Sequence, residues 1–178
     1  MAFAGNVDEL ALLQAVRLKE RVGAVVLAEH LGVSSASGQA AYDALVAQGK
    51  AVEAENAISL TEKGLAELED QLDAERVSID EDSIGEVYEA FLPLDEEFAA
   101  LIDDADADSL AELDRRAANL FDDLSAFVPR LSRYQDLFSD ALAKVQAGSQ
   151  VDFEPIIDSY ATVWGEIRQE LFGAAGEA

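Results

Sequence analysis

From Ser78 to the C-terminus, apolar residues recur every three or four positions, the period of a helix packed along one side. One stripe runs through Leu120, Phe121, Leu124, Phe127 and Val128, and a second through Leu131, Tyr134, Leu137, Phe138, Leu142 and Val145. A third joins Ile156, Ile157, Tyr160, Val163, Trp164, Ile167 and Leu171. Faces this wide must pack on one another, so residues 78–178 are expected to form a four- to five-helix bundle. Its core is expected to include Phe91, Leu120, Leu124, Phe127, Leu137, Phe138, Val163, Trp164 and Ile167. Ser83 with Glu86, and Ser109 with Glu112, have capping-box spacing. Pro93 is expected to break or kink its helix, Pro129 to end or kink another, and Gly148 and Gly173 to close the last two.

Residues 1–77 are patterned differently. A helix is predicted from Val7 to about Lys19, and a second from Val25 to Leu31 ending at Gly32. A third, capped by Ser34 or Ser35, runs to about Gln48 and buries Ala41 and Leu45. Two short segments around Glu55-Asn56 read as a hairpin, and residues 51–60 are expected to hold the only β-structure. Thr61 is the expected N-cap of the helix that follows. The fold class is therefore mainly α, in two domains: residues 1–77 with a small two-stranded hairpin, and an acidic bundle over residues 78–178.

Helix, helix, helix, hairpin, helix is the order of a winged helix-turn-helix. "LAEHLGVS", "LVAQGKAV" and "ISLTEKG" resemble the corresponding segments of MarR and PadR-like regulators, over about residues 7 to 76. "YEAFLPLDEEFAAL", "LSRYQDLFSDALAKVQAG" and "IDSYATVWGEIRQEL" resemble a group of actinobacterial proteins described as transcriptional regulators, which join a winged helix to such a bundle. This chain departs from their pattern at Asp95 and Ala161, where the family carries Asn and His. The resemblance implies DNA binding through the third helix, with the C-terminal bundle used for dimerisation or effector binding. Base edges would be read from Ser35, Ser37, Gln39 and Ala40, with Lys50, Asn56 and Lys63 near phosphate or groove. Reading two half-sites implies a homodimer.

Charge argues against an easy DNA reader. There are 37 acids and 12 bases, a net charge of −25. Residues 1–77 hold 13 acids and 6 bases, net −7, and residues 78–178 hold 24 and 6, net −18. Such a field repels nucleic acid and anionic lipid at long range and favours cations and basic partners. It also fits a salt-adapted or high-GC bacterial proteome. The alternative function is therefore an accessory subunit that docks its winged helix or acidic bundle on a basic partner protein or enzyme; mimicry of DNA is a third reading.

No catalytic constellation stands out. His30 is the single histidine, and the absence of Cys excludes disulfides and thiolate chemistry. Asp104, Asp106 and Asp108 have EF-hand spacing, but Ser109 and Arg115 stand where that loop needs Gly and Glu. No metal, no cofactor and no enzymatic activity are expected. Eleven of the 13 aromatic residues follow residue 78, and Tyr88, Tyr134, Tyr160 and Trp164, with Asp158, are candidates to line a ligand pocket. No apolar run reaches the roughly 20 residues of a membrane span and no signal peptide is evident, so a cytoplasmic protein is expected.

Overall fold

Short polar side chains set where the helices begin. The structure, a computed structural model, describes residues 2–102, 106–147 and 153–177, the side chains of 153–158 excepted. Among the described residues it contains eight α-helices and one two-stranded antiparallel sheet. These fall into two compact units, Met1–Ser78 and Ile79–Ala178.

In the first unit, α1 (Glu9–Lys19) starts at Asp8, whose carboxylate accepts from the Ala11 N–H at 2.8 Å. Helix α2 (Ala24–Leu31) ends on Gly32, left-handed at φ 67°. Helix α3 (Ser35–Ala47) is capped by Ser34, whose Oγ accepts from the Ser37 N–H at 3.1 Å. Strands β1 (Ala51–Ala54) and β2 (Ala57–Leu60) pair from Ala51↔Leu60 to Ala54↔Ala57. Glu55 and Asn56 both take positive φ, 51° and 61°, as a two-residue type I′ turn requires to match the strand twist. Two isolated bridges correct the expectation that residues 51–60 hold all the β-structure. Ala2 pairs with Asp8, and Val22 exchanges backbone hydrogen bonds with Ile58 at 3.0 and 2.9 Å, pinning the start of α2 to the hairpin.

Leu12, Leu13 and Val16 of α1, Leu27 of α2, Tyr42 and Leu45 of α3, Ile58 of β2 and Leu68 of α4 (Glu62–Val77) form one core. Thr61 caps α4, accepting from the Gly64 N–H at 3.2 Å, and its own N–H donates to the Lys50 carbonyl at 3.0 Å. That carbonyl explains Gly64: a Cβ there would stand 2.0 Å from it.

The second unit is a ring of four helices. α5 (Glu81–Ile102) packs on α6 (Ala107–Phe127) and α8 (Phe153–Ala175), and α7 (Arg133–Ala147) packs on the same two. Trp164 lies at the centre, with the rings of Phe98, Phe91, Phe121, Phe138 and Tyr160 at centroid distances of 4.5 to 6.5 Å.

Several expectations need correcting here. Ser83 and Ser109 do not cap their helices; each lies one turn inside. The carboxylates of Asp80 and Asp106 occupy the caps, taking the serine hydroxyl and a backbone N–H together. A carboxylate has acceptor capacity for both donors and its charge suits a helix N-terminus, so it displaces the serine. These bonds hold both aspartates below the usual carboxylate range. Pro93 lies within α5 without interrupting it, whereas Pro129 ends α6 and opens a 3-10 turn, Pro129–Ser132. Gly173 does not stop α8; the left-handed residue is Gly176, at φ 76°, and Glu177 N–H closes the end on the Phe172 carbonyl at 2.9 Å. Gly148 lies outside the described residues. Phe127 is exposed rather than in the core: it is the last residue of α6, and the buried positions there go to Leu124 and to Val128 just beyond the helix end. Leu120, Leu137 and Val163 are only half-buried, on the shoulders of their stripes.

Gly64→Ala is expected to destabilise the protein by about 1–3 kcal/mol, because the Lys50 carbonyl is backbone and cannot swing aside. Gly85→Ala, in α5 with nothing within 4 Å of its Cβ, is expected to stabilise by about 0.5–1 kcal/mol. Urea titration of both variants checks the pair; equal effects would contradict the packing described.

Candidate functional site

The face of α3 that faces solvent carries Ser35, Gln39, Ala40 and Asp43. Gln39 Nε2 donates to Asp43 Oδ1 at 2.9 Å, one turn along, so an amide and a carboxylate share this surface. Ser37 is half-buried: Ser34 Oγ donates to its hydroxyl at 3.0 Å, and its carbonyl lies 2.5 Å from where a Gly5 Cβ would be. The 3-10 turn Ala4–Asn6 therefore rests on the first turn of α3.

The cations are arranged differently from the expectation. Lys50 is not available to phosphate. Its side chain is 12% exposed, ion-paired with Glu9 and 5.7 Å above the Phe3 ring. With net negative charge all around, a half-enclosed carboxylate holds the nearest lysine more firmly than solvent does. Lys63 donates to the Gln48 carbonyl at 2.8 Å, at the far end of α3, and its charge suits the C-terminal dipole there. Asn56 sits in the hairpin turn.

A residue missing from the sequence-based candidates sits at the hairpin tip. Arg21 reaches across 33 residues to donate to the Ala54 carbonyl at 2.6 Å and to Glu55 at 2.9 Å. Its guanidinium is thus held at the hairpin tip, with the side chain 48% exposed. Tyr42 ties α3 to β1 through Glu53. Burial, and then the Glu53 carboxylate that its hydroxyl meets, push it up to about 12.

In the second unit Tyr134, Tyr160 and Trp164 are core residues, and Tyr88 is half-buried with its ring edge-on to Phe172 at 5.1 Å. The side chain of Asp158 lies outside the described residues. Buried Trp and Tyr need partners for their polar atoms. Trp164 Nε1 donates to Asp95 Oδ1 at 2.9 Å, and Arg168 Nε donates to Asp95 Oδ2 at 2.8 Å while stacking on Phe172. A carboxylate at 95 accepts both donors with matching charge, which an asparagine would not. Tyr160 donates to Asp114 Oδ1 at 2.6 Å. Arg130 makes a two-pronged bond to Glu170, at 2.8 and 3.0 Å, and Glu166 is buried one turn earlier on α8. Burial, with the Glu170 and Glu166 charges, raises Tyr134 far above the ordinary tyrosine value.

A cavity of about 150 Å³ opens between α6 and α7, lined by Asp114, Ala118, Phe121, Asp122, Gln135, Phe138 and Ser139. Among the described residues no group of His, Asp or Glu is placed to hold a metal ion, and no helix is long and apolar enough to cross a membrane.

No protein family, no curated protein and no solved structure matches the chain.

Burial raises Asp114 above the usual carboxylate range, against the lowering effect of the Tyr160 hydrogen bond. A raised native value means that the folded state binds the proton more tightly. Asp114 therefore contributes a loss of stability as pH rises from the unfolded aspartate value through the folded one. Asp114→Asn keeps an acceptor for Tyr160 and should remove that contribution, so the wild-type and variant stabilities should diverge as pH rises above the unfolded aspartate value of about 4. Asp114→Ala should cost about 1–3 kcal/mol by leaving the Tyr160 hydroxyl without its acceptor. Urea titrations across that rise in pH check both; parallel curves for wild type and Asp114→Asn would contradict the assignment.

Proposed function

We propose that this chain is a winged-helix transcriptional regulator, with α3 as the recognition helix, the β1–β2 hairpin as the wing, and the helical unit serving dimerisation and effector binding. One observation carries the reading. The α2–α3 turn is set by a left-handed Gly32, α3 presents Ser35, Gln39 and Ala40 to solvent, and Arg21 is held at the tip of a type I′ hairpin. That combination supplies a helix to enter a major groove and a cation beside it. Gln39 can bond the N6 and N7 edge of adenine once it leaves Asp43, and Lys63 meets phosphate at the far end of the helix. Two half-sites require two copies, so the regulator acts as a homodimer, in the cytoplasm where its operator is.

The second reading, an accessory subunit docked on a basic partner protein, is favoured by the pairing of Lys50 with Glu9 and by the exposure of Val25 and Val26 at the start of α2. Selection from genomic DNA fragments at about 20–50 mM salt separates the two, because phosphate contacts are strongest there. The regulator reading predicts an enriched operator. Gln39→Ala should then cost roughly 1–3 kcal/mol at that operator, and Arg21→Ala should weaken all sequences alike. Asp43→Asn should tighten binding by removing a charge from the groove. With so few free cations, log K against log salt should slope only about −2 to −4. If no sequence is enriched and a pull-down returns a basic protein, the accessory reading takes its place.

A further inference from the structure

The cavity between α6 and α7 has a chemistry of its own. Its inner wall is the Phe121–Phe138 pair, stacked at 5.0 Å and 9° and backed edge-on by Trp164. Its rim is polar: Asp114, Asp122, Gln135 and Ser139, with the small side chain of Ala118 keeping one side open. We propose that this cavity binds a small organic cation, a primary alkyl- or arylalkylammonium ion, with the hydrocarbon against the phenylalanine rings and the ammonium beside the Asp114 carboxylate.

Size, wall and charge each narrow the ligand. A space of about 150 Å³ holds a molecule of about benzene's size and is too small for most drug-sized ligands. Aromatic rings favour an apolar body and attract a cation over their faces. Neither rim carboxylate pairs with Lys or Arg among the described residues. Asp114 takes the Tyr160 hydroxyl on Oδ1, its Oδ2 meeting no donor among the described residues, and Asp122 takes the Gln135 amide. Those two hydrogen bonds fix the carboxylates before any ligand arrives, which lowers the ordering required on binding. An anion would meet two negative charges and the field of the whole bundle. A neutral ligand would bury Asp114 further with nothing to compensate its charge. An ammonium ion carries the charge that compensates Asp114 and matches the sign of the surrounding field.

The inference does not rest on the reading of the first unit: a chain that never meets DNA can hold this ligand. The test uses the full chain titrated with benzylamine, benzyl alcohol and benzoate at about 150 mM NaCl, where diffuse attraction of cations to the acidic surface is screened. Binding is followed by calorimetry and by backbone amide NMR. Benzylamine is expected to bind saturably at one site, shifting the amides around Ala118, Gln135 and Ser139. Benzyl alcohol is expected to bind at least about tenfold more weakly, and benzoate not at all. Asp114→Asn, which keeps the acceptor for Tyr160, and Ala118→Leu, which fills the mouth, should each weaken benzylamine by about tenfold or more. Asp123→Asn removes the same charge from the exposed side of α6 and should change it by less than about twofold. Equal affinity for benzyl alcohol and benzylamine would overturn the proposal. So would unsaturable shifts scattered over the surface, or a loss on Asp123→Asn as large as that on Asp114→Asn.

Discussion

Twelve basic side chains serve thirty-seven acidic ones, and where those twelve go organises both units. Among the described residues, ion pairs hold Arg21, Lys50, Arg76, Arg115, Arg116, Arg130, Arg133 and Arg168. Several lie along one helix, such as Arg115 with Glu112 and Arg133 with Asp136, and are exposed enough for solvent and salt to screen most of their attraction. Others join separate elements. Arg130 binds Glu170 from the turn after α6 with both groups largely buried, Arg168 of α8 meets Asp95 of α5, and Lys50 meets Glu9 of α1. Removing one partner of the Arg130–Glu170 pair would strand a buried charge, so its importance lies in the geometry it enforces rather than in net stabilisation. Most other carboxylates among the described residues, Glu166 and Asp114 excepted, are at least partly exposed, and the summed field of the acid excess selects against polyanions and for cations.

The same excess of acid shapes the bundle core. A four-helix unit filled with aromatic rings must find acceptors for the indole N–H of Trp164 and the hydroxyl of Tyr160, and it uses Asp95 and Asp114. Each carboxylate ties two helices: α8 to α5 through Asp95, and α8 to α6 through Asp114. Apolar packing alone allows rings to slide along one another; a directional bond from a central ring does not. Because Asp114 sits at the margin of the core rather than inside it, its second oxygen borders open space, and a structural anchor and a binding feature become one group.

Much of this was legible in the sequence. Helical periodicity located the second unit, and Ser34, Gly32, Thr61 and the Glu55-Asn56 turn were readable because caps and tight turns depend on residues within three or four positions. Ser83 and Ser109 were misread where an aspartate three residues earlier offered the same local chemistry with more acceptor capacity. Phe127 was misplaced because a stripe with five apolar residues is wider than the face that the neighbouring helices cover. Lys50 and Arg21 were illegible for a different reason: their partners lie 41 and 34 residues away, and nothing local announces them. Asp95, Asp114, Glu166 and Glu170 were hidden among other acids. The available signal was position, since Asp95 stands between Phe91 and Phe98 on the buried side of α5, and Asp114 follows Leu110 by one turn on α6.

If the cations are committed to specific pairs and the surface is dominated by unpaired carboxylates, repulsion among those carboxylates must exceed what the exposed pairs return. Urea unfolding of the full chain at about 10 mM and about 1 M NaCl measures this balance, because salt screens exposed repulsion and exposed attraction alike while leaving the buried Arg130–Glu170 pair largely intact. The account predicts that the unfolding midpoint rises with salt. A midpoint that falls would mean that surface ion pairs, not excess acid, govern the electrostatics of this protein.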